Sequence, residues 1–407
     1  MQAIYLSIPV ESRPWSAYKA DEIEINGYVV QRYIGEFWTS RQRQDKNIHE
    51  VPYRACFKPQ LPAFFINALT SPLQIVYDPF AGRGTTPLTA ALMNRNIIAN
   101  DINPLSKVFI RPRLSPPEQS DVIARLSEIP YDLDRKAEFD LSMFYAPKTE
   151  AEICSLREYF IQRRVDEMFD ALDAWILMVA TTRLSGHSSG FFSVYTLPPN
   201  QAIVPSRQIL INEKLNQIPP YRDTKKLIAK KSKQLLSGLS KEEREILYQV
   251  EDKAQILCTD ARDTSQIRPD CIDLTVTSPP FLNVVKYSTD NWLRCWFCDI
   301  DAVEVGKQIT VPSGLGAWES IMGAVFLELF RITRPGGFVA FEVGEVRGGE
   351  IRLDEIVVPL GIAAGFVCEG IVIHDQKFTK TAHIWGVSNM SSGTNTNRIV
   401  VFQKPVL

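Results

Sequence analysis

The sequence predicts an α/β fold, a doubly wound Rossmann-like sheet interrupted by a largely helical insertion, and three observations carry that reading. Short apolar runs recur and end in polar or glycine-rich residues: Leu73 to Tyr77, Ile97 to Asn100, Gln255 to Cys258, Ile272 to Val276 and Gly337 to Val343. The first run leads through Asp78-Pro79-Phe80-Ala81-Gly82-Arg83-Gly84-Thr85 into a helix-like stretch, Pro87 to Met93, so its glycines fall at a strand-to-helix turn. Roughly 140 residues separate Pro117, where the sheet pauses after Arg111-Pro112-Arg113-Leu114-Ser115-Pro116, from the next strand at Gln255. That is far longer than a parallel crossover and implies an inserted unit.

Each element has a local reason. Residues 1 to about 60 are aromatic and polar, with a basic cluster at Arg41, Arg43 and Lys46, and lead through Phe57-Lys58-Pro59 into an apolar helical run from Leu61 to Leu69. At the glycine turn the backbone can approach a ligand closely, and the following helix N-terminus offers free N–H groups. A second strand ends at Asp101, about twenty residues further on, where an open α/β sheet places a carboxylate that grips a ribose. The dinucleotide fingerprint fails, because its third glycine would stand at Pro87. Inside the insertion, Glu150 to Phe160 and Asp166 to Leu184 show helical spacing. A flexible-looking loop follows, Ser185-Gly186-His187-Ser188-Ser189-Gly190, then Phe191 to Tyr195 and Pro198-Pro199-Asn200-Gln201. Glycine, serine and aromatics suit a nucleic-acid reader and equally an ordinary helical lid. The domain boundaries expected are residues 1–115 for an N-terminal segment and the first half of the sheet, 116–250 for the insertion and 251–407 for the second half. Ile371 to Ile373 and Ile399 to Phe402 supply the last strands, as an antiparallel pair.

Composition narrows the class. A chain of 407 residues with 45% hydrophobic content buries a large core. No apolar run approaches the roughly 18 residues of a membrane span, and Met1-Gln2-Ala3-Ile4-Tyr5 lacks a basic signal start. A cytoplasmic protein without a membrane partner is expected. Seven scattered cysteines do not form a disulfide framework, and Cys295-Trp296-Phe297-Cys298, without a second pair, reads as helix packing rather than a metal site. The net charge of −2 conceals a basic segment, Arg222 to Lys233, with six cations against Asp223. Its lysines Lys225, Lys226, Lys230 and Lys231 could neutralise phosphates or form a solvated helix face.

The chemistry points to Thr277-Ser278-Pro279-Pro280-Phe281, at the end of the Ile272 strand. An exocyclic amine has its lone pair delocalised into the ring, so a site that alkylates it must hold the amino hydrogens and redirect that lone pair. The Ser278 oxygen and the Pro279 carbonyl can accept those hydrogens, and paired prolines fix the backbone and remove competing N–H donors. Phe281 can stack on a base turned out of a duplex. A packed Pro-Pro loop is the alternative for the tetrapeptide taken alone.

With the acidic residue and Pro-Phe ahead of Gly-x-Gly-Thr-Thr, these motifs resemble the DNA amino-methyltransferases of the exocyclic-nitrogen class, and the resemblance covers most of the chain. It implies a methyltransferase sheet, S-adenosyl-L-methionine as cofactor and double-stranded DNA as partner, with a cognate restriction endonuclease as a candidate companion and a prokaryotic, nucleoid-associated setting. The motif order resembles the family's alpha group, in which a target-recognition region separates the cofactor and catalytic halves. The stretch from His49 through Phe57-Lys58-Pro59 resembles the family's N-terminal cofactor segment. By resemblance, Asp78, Phe80, Gly82, Gly84 and Thr85 surround the methionine end of the cofactor, Asp101 binds its ribose and Asp260 approaches its adenine. Serine before the prolines is usual in cytosine-N4 enzymes and Asp or Asn in adenine-N6 enzymes, so Ser278 favours cytosine, while Phe281 replaces the commoner tyrosine. Asn395, Asn397 and Arg398, before and in the last strand, are further base-holding candidates by resemblance. An RNA amino-methyltransferase and a non-catalytic DNA-binding protein are the alternatives, the latter opposed by intact Gly82, Gly84, Ser278 and Pro279.

Overall fold

The computed structural model describes residues 13–38, 46–54, 56–197, 202–280, 287–310, 312, 314–346, 351–375 and 396–406. A nine-stranded mixed sheet runs through the molecule. Its strands are β1 (Lys19–Ile25), β2 (Tyr28–Gly35), β3 (Ile75–Asp78), β4 (Asn96–Asn100), β5 (Gln255–Leu257), β6 (Ile272–Thr277), β7 (Thr333–Val343), β10 (Val367–Asp375) and β11 (Thr396–Gln403). A separate short hairpin pairs β8 (Glu345–Val346) with β9 (Ile351–Arg352). The helices are α1 (Gln60–Leu69), α2 (Thr85–Leu92), α3 (Leu105–Leu114), α4 (Gln119–Glu128), α5 (Pro147–Val165), α6 (Ala171–Thr181), α7 (Pro205–Leu215), α8 (Thr224–Leu236), α9 (Lys241–Glu251), α10 (Tyr287–Asp290), α11 (Trp292–Phe297), α12 (Ala302–Gln308), α13 (Leu315–Ile332) and α14 (Leu353–Ala363).

Across the sheet the order is β1-β2-β10-β11-β7-β6-β3-β4-β5. Strands β3 to β7 pair in parallel, and β11 inserts antiparallel between β7 and β10, as expected for the last pair. The chain builds outward from β3 through β4 to β5, then returns to lay β6 on the other side of β3. That reversal creates a crevice at the carboxyl ends of β3 and β6, where open α/β sheets bind ligands.

The β1–β2 hairpin was not foreseen, although Asn26-Gly27 between two extended runs is a strong hairpin signal. Both residues have positive φ, 50° and 84°, as a tight two-residue turn between antiparallel strands requires. This hairpin extends the sheet beyond β10 through a parallel pairing with β2.

Alternation along the strands sends side chains to two cores. Val76, Leu274, Val276, Phe338, Ala340 and Val372 face one side, whereas Tyr77, Ile272, Val339, Phe341, Ile371 and Ile373 face α13 and α14 on the other. The insertion is all-helical, α4 to α9, but it is not a separate unit. Val122, Leu126, Ile153, Trp175, Ile228 and Leu247 belong to the same apolar cluster as β3, β4 and β6. Its last helix, α9, starts with a Ser240/Glu243 capping box and packs on α2 and α3, so it serves as the crossover into β5. At the start of α6, the Asp170/Asp173 capping box is held by Arg125 and Arg163, with Asp173 accepting from both at 2.5 and 2.8 Å. No helix among the described residues is long and apolar enough to cross a membrane.

A shared core makes one cooperative unit of sheet and insertion. Trp175 is fully buried in α6 and donates from Nε1 to Ser232 Oγ at 3.0 Å. Trp175→Ala is expected to cost about 3–5 kcal/mol. Denaturant titrations followed by far-UV signal and by tryptophan emission should shift together in one transition; two separated transitions would contradict a common core.

Candidate active site

A cleft opens at the crevice. The glycine turn forms its floor from Asp78 to Arg83 with Thr85; the end of β4 adds Asp101 to Asn103, the end of β5 adds Thr259 to Arg262, and the end of β6 adds Ser278, Pro279 and Pro280. Tyr53, Arg54, Cys56 and Phe57 approach from the N-terminal segment, and Ile321, Met322 and Val325 of α13 close the far wall. Nine of the residues expected from sequence, Asp78, Phe80, Gly82, Thr85, Asp101, Asp260, Ser278, Pro279 and Pro280, line this one cleft. Phe281 lies outside the described residues.

Asp78 ties the two motifs together. Its Oδ1 accepts from Thr277 Oγ1 at 2.6 Å and from the Phe80 N–H at 3.1 Å. Thr86 reinforces the junction by donating to the Val276 carbonyl at 3.1 Å. Burial raises the Asp78 carboxyl to about 7, and the hydrogen bonds from Thr277, Phe80 and Thr86 only partly oppose it. Asp101 is held by two backbone amides, Gly82 N–H to Oδ2 at 2.7 Å and Asn103 N–H to Oδ1 at 2.8 Å. Its carboxyl is raised to about 6 by burial. Asp260 reaches the cleft wall already paired with Arg262, 2.5 Å between Oδ2 and Nη2, and this pairing lowers its pKa.

The two glycines of the turn have different roles. Gly82 has φ 51° and lines the cleft, where a Cβ would meet the Tyr53 ring at 3.3 Å. Gly84 has φ 80°, but it faces α3 rather than the cleft: a Cβ there would lie 2.3 Å from Ile110 Cγ1. Gly84 is not part of the cleft lining, and its missing side chain lets α3 approach the turn. The buried Arg113 of α3 completes that contact by donating to the Phe109 and Arg83 carbonyls.

Glu342 is the site residue that sequence reading missed. The β6–β7 register, Val276 with Ala340 and Thr277 with Phe341, continues so as to bring Ser278 beside Glu342. Burial raises the Glu342 carboxyl to about 7, and the neighbouring Ser278 side chain only partly opposes this by favouring the ionised form. A lone acid inside the apolar strand Phe338-Val339-Ala340-Phe341-Glu342-Val343 is the signal that could have found it, since an unpartnered buried carboxylate is costly.

The residues expected to meet nucleic acid divide. Lys226 and Lys230 are exposed on α8. Lys231 is buried, because it falls on the helical stripe of Thr224, Ile228 and Leu235, and donates to Glu50 at 3.1 Å. Lys225 donates to the Ile129 carbonyl at 2.6 Å and sits 4.4 Å over the Tyr131 ring. The basic run is thus not one phosphate-facing surface. Arg398 is buried on β11 and paired with Asp354 at 2.9 Å, which turns it into the core rather than toward a base. Asn397 is half-buried on β11 opposite His374. Asn395 and residues 198–201 lie outside the described residues, as do Arg41 and Arg43. The loop after α6 is packed rather than loose: Phe191, Phe192 and Val194 are buried, and only Tyr195 among its aromatics is exposed. Cys295 and Cys298 are buried in the core, Cys298 Sγ lying 3.2 Å from Thr181 Oγ1.

The strand order and the cleft at its switch point define the class, a Rossmann-like α/β fold with its last strand antiparallel. Residues 13–107 match the family model of the N6 and N4 enzymes, described as DNA methylase. The chain is similar to the Type II methyltransferase M.MjaII of Methanocaldococcus jannaschii, 31% identical over 106 residues that make up 26% of this chain and 19% of that protein. It is also similar to the Type II methyltransferase M.MvaI of Kocuria varians, 28% identical over 105 residues, 25% of this chain and 23% of that protein. These matches span about a fifth of each relative. Among solved structures, TTHA0409 of Thermus thermophilus in complex with S-adenosyl-L-methionine is 22% identical over 36% of this chain and 54% of its own, with TM-score 0.23. The rRNA methyltransferase aviRa of Streptomyces viridochromogenes is 11% identical over 91% of this chain and 96% of its own, with TM-score 0.37.

Three raised carboxyls give the site a pH signature. Glu342 and Asp78 keep their protons to about pH 7 and Asp101 to about pH 6, against ordinary values of 4.5 for Glu and 3.8 for Asp in the unfolded chain. The folded state binds more protons between those limits, so their contribution to stability is complete below about pH 4 and declines as pH rises toward 7. Urea midpoints measured across that window should fall with pH, and Glu342→Gln should flatten part of the fall; an identical slope in the variant would show that Glu342 titrates normally.

Proposed function

We propose that this chain is an S-adenosyl-L-methionine-dependent DNA methyltransferase acting on the exocyclic amine of a base turned out of the duplex, cytosine N4 in preference to adenine N6. The observation that carries the reading is Ser278 at the end of β6, which lines one cleft with the glycine turn and has Glu342 of β7 beside it across the strand pair. The DNA methylase match and the Type II methyltransferase names of both relatives support DNA as the substrate.

Ionised Glu342 can only accept a hydrogen bond, so it draws the Ser278 hydroxyl proton toward itself. The Ser278 oxygen then presents lone pairs, and its remaining role toward an amine is to accept N–H. The Pro279 carbonyl can take the second amino hydrogen. Both contacts hold the amine and favour a lone pair directed out of the ring plane. Burial that excludes water strengthens each of them. A serine before the prolines, in place of Asp or Asn, favours cytosine in the resemblance and fits an acceptor whose charge sits one residue behind it.

The cleft fits the cofactor on its own chemistry. Gly82 leaves the backbone open where a side chain would crowd Tyr53. Asp101, each oxygen holding one backbone amide, keeps acceptor capacity for a ribose hydroxyl, and Asp260 stands at the end of the next strand to approach an adenine. When bound, S-adenosyl-L-methionine supplies a methyl group made electrophilic by its sulfonium. The insertion, residues 116–250, would act as the target-recognition region of an alpha-type order, a reading supported by the side of the sheet it covers, the one to which Ser278 and Glu342 project.

Transfer of labelled methyl to duplex DNA, with RNA in parallel, tests the reading, and digestion should release N4-methylcytosine. Label confined to RNA, or N6-methyladenine as the product, would overturn substrate or base respectively. Ser278→Ala should lower methyl transfer by about 10²- to 10³-fold, the range for losing one positioned hydrogen-bonding group, while calorimetric cofactor affinity stays unchanged. Loss of both together would remove Ser278 from the amine. Asp101→Ala should behave oppositely, weakening cofactor binding about tenfold or more by deleting a charge-assisted acceptor; undiminished affinity would reassign it to holding the turn.

A further inference from the structure

The loop that follows α6 suited, from sequence, either a nucleic-acid reader or a helical lid, and its aromatics Phe191 and Phe192 are taken up by packing. Tyr145 donates from its hydroxyl to the Leu184 carbonyl at 2.8 Å, Phe192 N–H to the Arg183 carbonyl at 2.8 Å, and Thr196 N–H to the Gly186 carbonyl at 3.0 Å. Gly186 must lack a side chain, because a Cβ would stand 2.5 Å from the Phe191 ring. Phe191 is thereby laid flat, and the Arg183 guanidinium stacks on it at 4.2 Å. The loop is built to hold Arg183.

Among the described residues, no acid forms an ion pair with Arg183. It is only 8% exposed, and its one side-chain hydrogen bond among the described residues runs from Nε to Thr182 Oγ1 at 3.3 Å. Its charged neighbours are mostly of its own sign. Arg294 and Lys231 both repel it, and Glu50, the acid that favours its charge, is engaged by Lys231 at 3.1 Å and Gln234 at 2.6 Å. Asp290, which favours the charge of the neighbouring Arg294, is itself paired with Arg54 at 2.7 Å. Burial and Arg294 together lower the Arg183 pKa to about 10. Stacking and a single neutral hydrogen bond are a poor replacement for water around a buried guanidinium.

The position suits a strand entering the cleft. Arg294 donates to the Pro52 carbonyl at 3.2 Å and lies 5.9 Å from the ring of Tyr53, which lines the cleft wall. We propose that Arg183 binds a backbone phosphodiester of the nucleic-acid strand whose base enters the cleft, with Phe191 and Gly186 as its positioning residues. This rests on the DNA reading above. A guanidinium fork matches a phosphate in two parallel hydrogen bonds, and a phosphate supplies the charge that the surroundings withhold. The contact is sequence-independent, so the loop positions the strand rather than reading it.

Arg183→Met and Arg183→Lys test this in the full-length protein with fluorescent duplexes of several unrelated sequences, across a salt series. Arg183→Met should weaken every duplex about tenfold or more and reduce the slope of log affinity against log salt by about 0.9. Arg183→Lys should retain the slope while losing part of the affinity. Thermal stability of Arg183→Met should hold or rise, since an uncompensated buried cation is removed, and cofactor affinity should be unchanged. A wild-type salt slope with a lowered melting temperature would make Arg183 a packing residue and overturn the proposal. If wild-type protein methylates RNA and not DNA, the DNA reading fails, while the slope difference measured on that RNA still decides the phosphate contact.

Discussion

The hydrogen bond from Thr277 to Asp78 joins two chain segments 199 residues apart, and the site exists because of it. Asp78 ends β3 and opens the glycine turn; Thr277 ends β6 and opens the Ser-Pro-Pro loop. Both side chains are buried, so neither can exchange its partner for water. Losing either one would leave a desolvated polar group, which costs more than the bond itself contributes. Thr86 repeats the tie one residue deeper by donating to the Val276 carbonyl. Two such links fix the distance between a cofactor loop and a catalytic loop that no covalent neighbour relates.

The helical insertion extends the same logic across the sheet face. It shares one apolar cluster with β3, β4 and β6, and it returns to the sheet through α9. On the proposed function, a recognition element on a hinge could lose its register with the chemistry. One that shares a core cannot move without disturbing the strands that carry Asp78 and Ser278. Charges on α8 that looked available for phosphate are used in packing instead: Lys231 pairs with Glu50 and fastens the insertion to residues 46–54, and Lys225 ties α8 to the end of α4 within the insertion.

Much of this was legible in the sequence because it rests on local rules. Five strands of the sheet, the α1 and α2 helices and the shared cleft follow from apolar runs ending in Gly, Pro, Asp and Ser. Asn26-Gly27 was equally local and was overlooked, its flanking strands masked by the charges of the edge strand Lys19–Ile25. Other features depend on the third dimension. Gly84 is explained by Ile110, Arg398 by Asp354, and Glu342 by a cross-strand register with Ser278. A count of basic residues likewise cannot tell Lys226 from Lys231, since the difference is which of them meets the stripe formed by Ile228 and Leu235.

Charge is sorted around the cleft in a way that couples binding to protonation. On the strand ends, Asp78, Asp101 and Glu342 keep protons near neutral pH because burial outweighs their hydrogen bonds. On the insertion side, burial disfavours the charges of Arg183 and Lys231, reinforced by Arg294 at Arg183 and by Arg183 at Lys231. A cationic ligand among the carboxyls favours their ionised forms, and an anionic one beside Arg183 favours its charged form. Each ligand would therefore relieve a desolvated charge of opposite sign. Ionised Glu342 is also the state that turns the Ser278 oxygen into an acceptor. On the proposed function, Asp78 and Asp101 would hold a cationic cofactor, whose charge would favour ionised Glu342 and with it the acceptor state of Ser278.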